Sequence, residues 1–193
     1  MLPLIGLTGL KGSGKSQAAK ALINIGYHED AYAKDLKDMV YHIQGICVPI
    51  PPGLIADDPP YLSYQNTVDI LGLDQAKNEI PQVRKILQTF GTDVIRNYVG
   101  ADFWVDRVRE RAEHAIQNNI PYVITDIRFP NEAKLIKDLN GHIVRIERPS
   151  QKSKDQHQSE THISSLPVDH IIYNNSTISH LHQKMLDFAT NKN

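Results

Sequence analysis

Gly9-Leu-Lys-Gly-Ser-Gly14-Lys15-Ser16 satisfies G-x-x-x-x-G-K-[ST] at every fixed position. Glycines let successive backbone N–H groups turn inward around an anion, and a helix starting directly after the loop adds its positive end. A lysine in the seventh place reaches the β- and γ-phosphates, and a hydroxyl in the eighth can ligate Mg²⁺. The chemistry expected is the binding of a nucleoside triphosphate. Its contacts would be Gly12, Ser13, Gly14, Lys15, Ser16 and Gln17, with Ser16 also a metal ligand.

A second charged group stands in "YVITDIR". Asp126 falls at the carboxyl end of a short apolar strand, where open parallel sheets bind ligands. It is placed either to hold a Mg²⁺-bound water beside Ser16 or to cap the next helix. Arg128 suits a forked grip on a phosphate, or a surface ion pair. Glu132 is open to two readings, a contact to a sugar or base and a first-turn acid favoured by the helix dipole. Arg148 begins an aperiodic polar stretch with Lys152 and Lys154 close behind, the composition of a closing loop over 148–165.

Elements that could position these groups follow from periodicity. Residues 2–8 read as a buried strand and 15–25 as a helix with Ala18, Leu22 and Ile25 on one face and Gly26 as its stop. A second helix is expected over 31–43. Residues 45–60 hold five prolines and read as a loop or boundary. Helical patterns at 83–90 and 93–98 flank a break at Gly91, and Asp102 is placed to cap a helix to about 117. After that, strands at 121–125, 142–147 and 168–173 alternate with helices at 131–141 and 178–189. Alternation implies a parallel sheet covered on both faces, of five strands if residues 27–31 supply one. Residues 45–80 would then be an insertion over its carboxyl edge, within a single domain spanning 1–193.

Composition narrows the field. The chain has 193 residues, 40% hydrophobic and 22% charged, with net charge −1. That balance gives no basic stripe for nucleic acid and no cationic face for a membrane. No apolar run approaches the roughly 18 residues of a membrane span, and residues 1–8 lack the basic start of a secretory signal. A lone cysteine, Cys47, forms no internal disulfide and suits a cytoplasmic setting.

Three further blocks carry a resemblance: "RKILQTFGTDVIRNYVGADFWV" (84–105), "YVITDIRFPNEA" (122–133) and "VRIERPSQKSKDQHQSE" (144–160). With the phosphate loop, they resemble the bacteriophage deoxynucleoside monophosphate kinase family, and the tail "VDHIIYNNSTISHL" (168–181) resembles the Asp–strand–Asn pattern shared widely by nucleoside monophosphate kinases and their relatives. The likeness covers most of the chain except 45–80. It implies a three-layer α/β P-loop NTPase fold and Mg²⁺-dependent transfer of the γ-phosphate of ATP to a small-molecule acceptor, a dNMP. It further implies acceptor contacts from Lys11, Lys34, Asp35, Arg84, Gly91, Thr92, Trp104, Asp126, Arg128 and Glu132. Lys15, Arg128 and Arg148 would be the catalytic cations, with Ser16 and Asp126 on the metal. Lysines follow Arg148 where cellular nucleoside monophosphate kinases commonly carry a second arginine. The resemblance also makes a homodimer plausible. Two other readings stay open. The opening "IGLTGLKGSGKS" also resembles dephospho-coenzyme A kinase, although the Asp-Ala-Asp turn of that family is absent from "YHEDAYAKDLK". A P-loop ATPase switch would more often end its strand in an acidic pair than in Asp-Ile-Arg.

Overall fold

Leu4–Thr8 is buried at every position and forms strand β1. In the computed structural model, which describes residues 2–57, 59–149 and 163–190, it lies at the centre of a five-stranded sheet. The chain continues through α1 (Lys15–Ile23), β2 (His28–Asp30), α2 (Ala33–His42), β3 (Cys47–Pro49) and β4 (Tyr61–Ser63). Next come α3 (Tyr64–Leu71), α4 (Leu73–Glu79), α5 (Pro81–Gln88), a π-helix (Thr89–Val99) and α6 (Phe103–Gln117). The last elements are β5 (Tyr122–Ile127), α7 (Pro130–Asp138), β6 (His142–Glu147), β7 (His170–Tyr173) and α8 (Ile178–Ala189). The chain divides into two compact units, Met1–Tyr32 with Asp102–Asn193, and Ala33–Ala101.

The first unit holds the sheet, ordered β2-β5-β1-β6-β7 with every pair parallel. Because side chains alternate along a strand, β1 feeds two layers. Ile5 and Leu7 join Val144, Ile146 and Ile172 under α1 and α8, which supply Ala18, Leu22, Leu181 and Met185. Against the other face, Ile136 of α7 reaches the Gly6 backbone. The expected five parallel strands and two helical layers are therefore present. Helix α1 stops two residues short of the expected 25, and Gly26, at φ 99°, turns the chain into β2.

One buried charge fixes the edge of this sheet. Asp30, at the end of β2, is 2% exposed. Its carboxylate accepts from Arg111 Nε at 2.7 Å and from Tyr122 Oη at 2.7 Å, joining α6 and β5 to β2. Burial, reinforced by donation to Asp30, pushes the Tyr122 phenol well above its ordinary range. Asp102 does stand at the start of α6, but it makes no side-chain cap there. Its Oδ1 accepts from Asn131 Nδ2 at 2.7 Å instead.

The second unit departs further from expectation. Residues 47–49, within the stretch read as loop, form β3 and pair antiparallel with β4. Pro49 is tolerated because it ends a strand in a two-stranded ladder, where a missing N–H need cost no interior bond. Gly91 does not break the helix. The π-helix runs straight through it, with Gly91 and Thr92 buried. A Cβ on Gly91 would lie 2.6 Å from Leu36 Cδ2, so this turn packs against α2 where only a hydrogen fits.

Candidate functional site

The loop between β1 and α1 is shaped by three glycines in the left-handed region, Gly9 at φ 141°, Gly12 at 79° and Gly14 at 110°. Ser13 N–H donates to Leu10 O at 3.1 Å, and Ala18 N–H donates to Gly14 O at 3.0 Å, starting the helix. Lys15 folds back over the loop, its ammonium donating to Gly9 O at 2.6 Å and Leu10 O at 3.0 Å. Two backbone carbonyls thus hold this cation at the loop. The Ser13 hydroxyl is buried with no hydrogen-bond partner among the described residues. Lys11, Gly12 and Ser16 are exposed, while Gly14, Lys15 and Gln17 are half-buried.

Beside the loop lies a cavity of about 300 Å³, lined by Gly9, Leu10, Ser13, Arg145, Glu147 and Arg148 among others. Arg148 is exposed at its rim, directly after β6. Arg145 was not singled out from the sequence. It sits within β6, opposite Thr8 of β1, and its guanidinium donates to Leu166 O at 2.8 Å. Its Nε is buried and without a hydrogen-bond partner among the described residues. Lys152 and Lys154 of the expected closing loop, with the rest of 150–162, lie outside the described residues.

Across β1 from β6, the end of β5 carries Asp126. Its Oδ1 accepts from Tyr32 N–H at 2.7 Å. Arg128 follows, half-buried, its backbone N–H donating to Glu132 Oε2 at 2.7 Å. Phe129 N–H donates to the same oxygen at 3.1 Å. Glu132 is 2% exposed, and the work seen for its carboxylate is to cap the start of α7. Tyr32 adds a second tie, its hydroxyl donating to Glu132 O at 2.9 Å. Arg128 and Glu132 thus share one hydrogen-bonded turn, and Tyr32 links it to Asp126. Trp104 is 3% exposed and packs edge-on to Phe103, with ring centroids 4.8 Å apart.

The remaining candidates belong to the second unit. Lys34 and Asp35 open α2, Arg84 lies half-buried on α5, and Gly91 and Thr92 are in the π-helix. Arg96 Nη1 donates to Ala101 O at 2.9 Å.

Asn174, just past β7, closes the Asp–strand–Asn pattern of the tail, but its partner is not named by the sequence. Its Nδ2 donates to Ser13 O of the phosphate loop at 2.8 Å. Asparagine after a strand is an ordinary turn residue, and nothing in its neighbourhood signals a partner 161 positions earlier.

Residues 54–185 match the family model described as deoxynucleotide monophosphate kinase. A putative deoxynucleotide monophosphate kinase of Acanthamoeba polyphaga mimivirus is 30% identical over 97% of this chain and 96% of its own length. The deoxynucleotide monophosphate kinase of Escherichia phage RB69 is 25% identical over 56% of this chain, which spans 45% of that longer protein. Among solved structures, dephospho-CoA kinase from Campylobacter jejuni superposes with a TM-score of 0.53 at 15% identity, covering 99% of this chain and 97% of its own. At that identity the likeness is one of fold alone.

Proposed function

We propose the function from one premise: this chain belongs to the deoxynucleotide monophosphate kinase family. It transfers the γ-phosphoryl group of ATP to a deoxynucleoside monophosphate, yielding ADP and a deoxynucleoside diphosphate. The observation that carries the donor side is the loop itself. Its three left-handed glycines and the Ser13 hydroxyl, unpartnered among the described residues, precede a helix N-terminus, the arrangement that receives polyphosphate.

Phosphoryl transfer spreads charge over the moving oxygens and needs placed cations more than covalent help. Lys15 trades its carbonyl partners for the β- and γ-phosphate oxygens. Arg148, at the rim of the loop-side cavity, meets the charge that develops on the transferring group. Arg128, on the turn braced by Glu132, holds the acceptor phosphate. Lys11, Lys34, Asp35, Arg84, Gly91, Thr92 and Trp104 are the further acceptor-side residues. The Ser16 hydroxyl, in the first turn of α1, and the Asp126 carboxylate, near the end of β5, are hard oxygen donors of the kind that fits Mg²⁺. Among the described residues no group of three or more His, Cys, Asp or Glu could hold a metal, so phosphate and water would complete its shell. Bound Mg²⁺ supplies charge neutralisation at the phosphate oxygens.

Among the described residues no helix is long and apolar enough to cross a membrane. We place the enzyme's work in the cytoplasm, where both nucleotides occur. The test is ADP release with ATP, Mg²⁺ and a panel of dNMPs, NMPs and dephospho-coenzyme A. At least one dNMP is expected to be turned over, with little hydrolysis when no acceptor is present. Turnover confined to dephospho-coenzyme A would move the acceptor to the other kinase class.

A further inference from the structure

Asn174 is mounted on the sheet and touches the phosphate loop. Its backbone N–H donates to Glu147 O at 2.7 Å, tying it to the end of β6. Its side-chain Nδ2 donates to Ser13 O at 2.8 Å. A Cβ built on Gly14 would stand 2.5 Å from the same nitrogen, so the amide is in van der Waals contact with the loop as well. In a trans peptide the C=O and the following N–H point in opposite directions. Fixing the Ser13 carbonyl against Asn174 therefore turns the Gly14 N–H away from β7. A loop that cradles an anion needs its N–H groups on one side and its carbonyls on the other, since an inward carbonyl repels phosphate.

We infer that Asn174 is a positioning residue for the phosphate loop, its amide holding the Ser13–Gly14 peptide in the orientation that receives the triphosphate. Gly14 is the matching half of the device. Its φ of 110° and its lack of a side chain let the peptide lie flat against the amide. Asn174 touches no reacting atom. It acts through the loop, and the inference rests on reading residues 9–16 as the site of ATP.

Asn174→Ala removes the donor without adding charge. Asn174→Asp keeps the shape but sets a carboxylate against the Ser13 carbonyl. ATP binding to the full chain is measured by calorimetry, beside steady-state kinetics and thermal unfolding. At about pH 8, ATP affinity is expected to fall roughly tenfold in Asn174→Ala and roughly a hundredfold in Asn174→Asp, as for loss or reversal of a placed donor. The loss appears in KM for ATP, with KM for the acceptor within about twofold. Asn174→Leu keeps the shape of the side chain without a donor and is expected to match Asn174→Ala. An Asn174→Leu affinity within twofold of wild type would mark packing alone and overturn the donor role. ATP affinity within twofold of wild type in Asn174→Ala and Asn174→Asp, even with lowered thermal stability, would also overturn it. Calorimetry separates this inference from the acceptor assignment. A wild-type protein that binds ATP but phosphorylates no dNMP sinks the latter, and the variants still decide the former.

Discussion

The phosphate loop and the π-helix each carry candidate site residues, and they are held by opposite means. The loop hangs from the central strand of a parallel sheet. Its glycines are set by dihedral angle, and Asn174 grips its backbone. The π-helix belongs to a unit of short helices and one two-stranded ladder, and Gly91 is set there by contact with Leu36. One region is fixed by backbone hydrogen bonds in register, the other by side-chain packing. The first kind of order tolerates almost no change of residue type, whereas the second yields where a side chain can rotate.

The largest break in this contrast is expected at Lys15. Lys15→Ala removes the ammonium that now sits on Gly9 O and Leu10 O, and should lower kcat by roughly a thousandfold or more. Circular dichroism should stay that of the wild type, because the loop glycines and the sheet do not depend on this side chain. Near-normal turnover would mean that the loop is not the catalytic one.

Two arginines sharpen the comparison within the first unit. Arg148 sits at the exposed rim of the loop-side cavity, and Arg148→Ala should mainly lower kcat, by on the order of 10³-fold if it acts like an arginine finger in cis. Arg128 is on a turn already braced by Glu132, so Arg128→Ala should mainly raise KM for the dNMP. Steady-state kinetics against both substrates separate the two. A weakened ATP interaction in Arg128→Ala would move that arginine to the donor side.

The same substitution made in both regions gives a direct test. Gly14→Ala meets a φ of 110° and the Asn174 amide at 2.5 Å, and should cost at least a hundredfold in kcat/KM for ATP. Gly91→Ala only has to displace the tip of Leu36, and the helix gains about 1 kcal/mol from losing a glycine. Overpacking offsets that gain, so its unfolding free energy should stay within about 1 kcal/mol of wild type in urea titration. A large loss in Gly91→Ala would show that the π-helix is as rigidly specified as the loop.

The smallest expected effect is a pH-dependent one at the sheet's other end. Burial pushes the Asp169 carboxyl up, but the Lys137 ammonium and the Ile143 N–H, which donates at 2.7 Å, outweigh it and hold the group below its usual range. A carboxylate whose folded pKa is depressed contributes stability above its unfolded pKa and loses it as pH falls through the folded value. Asp169→Asn should therefore cost about 1 kcal/mol or less at neutral pH. The gap to wild type should close as pH drops below about 4, which denaturant titrations across that range would show.

How much of this was legible in the sequence follows the same division. The loop was readable because eight adjacent residues state its chemistry, and the strands because apolar runs alternate with helical periods. Gly91 was misread as a break, since a π-turn's i→i+5 bonding leaves no periodic mark and glycine ordinarily stops helices. Pro49 hid β3 for a similar local reason. The contacts of Asn174 and Arg145 were hidden for a different one: their partners are Ser13, Leu166 and the loop-side cavity, and strand order alone brings these together. Glu132 was recognised as a candidate for ligand contact or for capping, and its burial could be known only once α7 was packed.

The central place of β1 also governs when the molecule can become active. Leu4 is registered to Tyr122, Ile5 to His142, and Ser13 waits for Asn174. On a ribosome adding about 5–20 residues per second, the phosphate loop leaves the exit tunnel on the order of ten seconds before the strands that flank it. The loop, translated before the strands that flank it, is thus among the last segments of its unit to take shape. High contact order of this kind slows folding and leaves an apolar strand waiting for partners. A nascent chain stalled short of residue 174 would carry the whole nucleotide motif and still lack the amide that donates to Ser13 O, so the loop reaches its full set of contacts only after β7 has emerged.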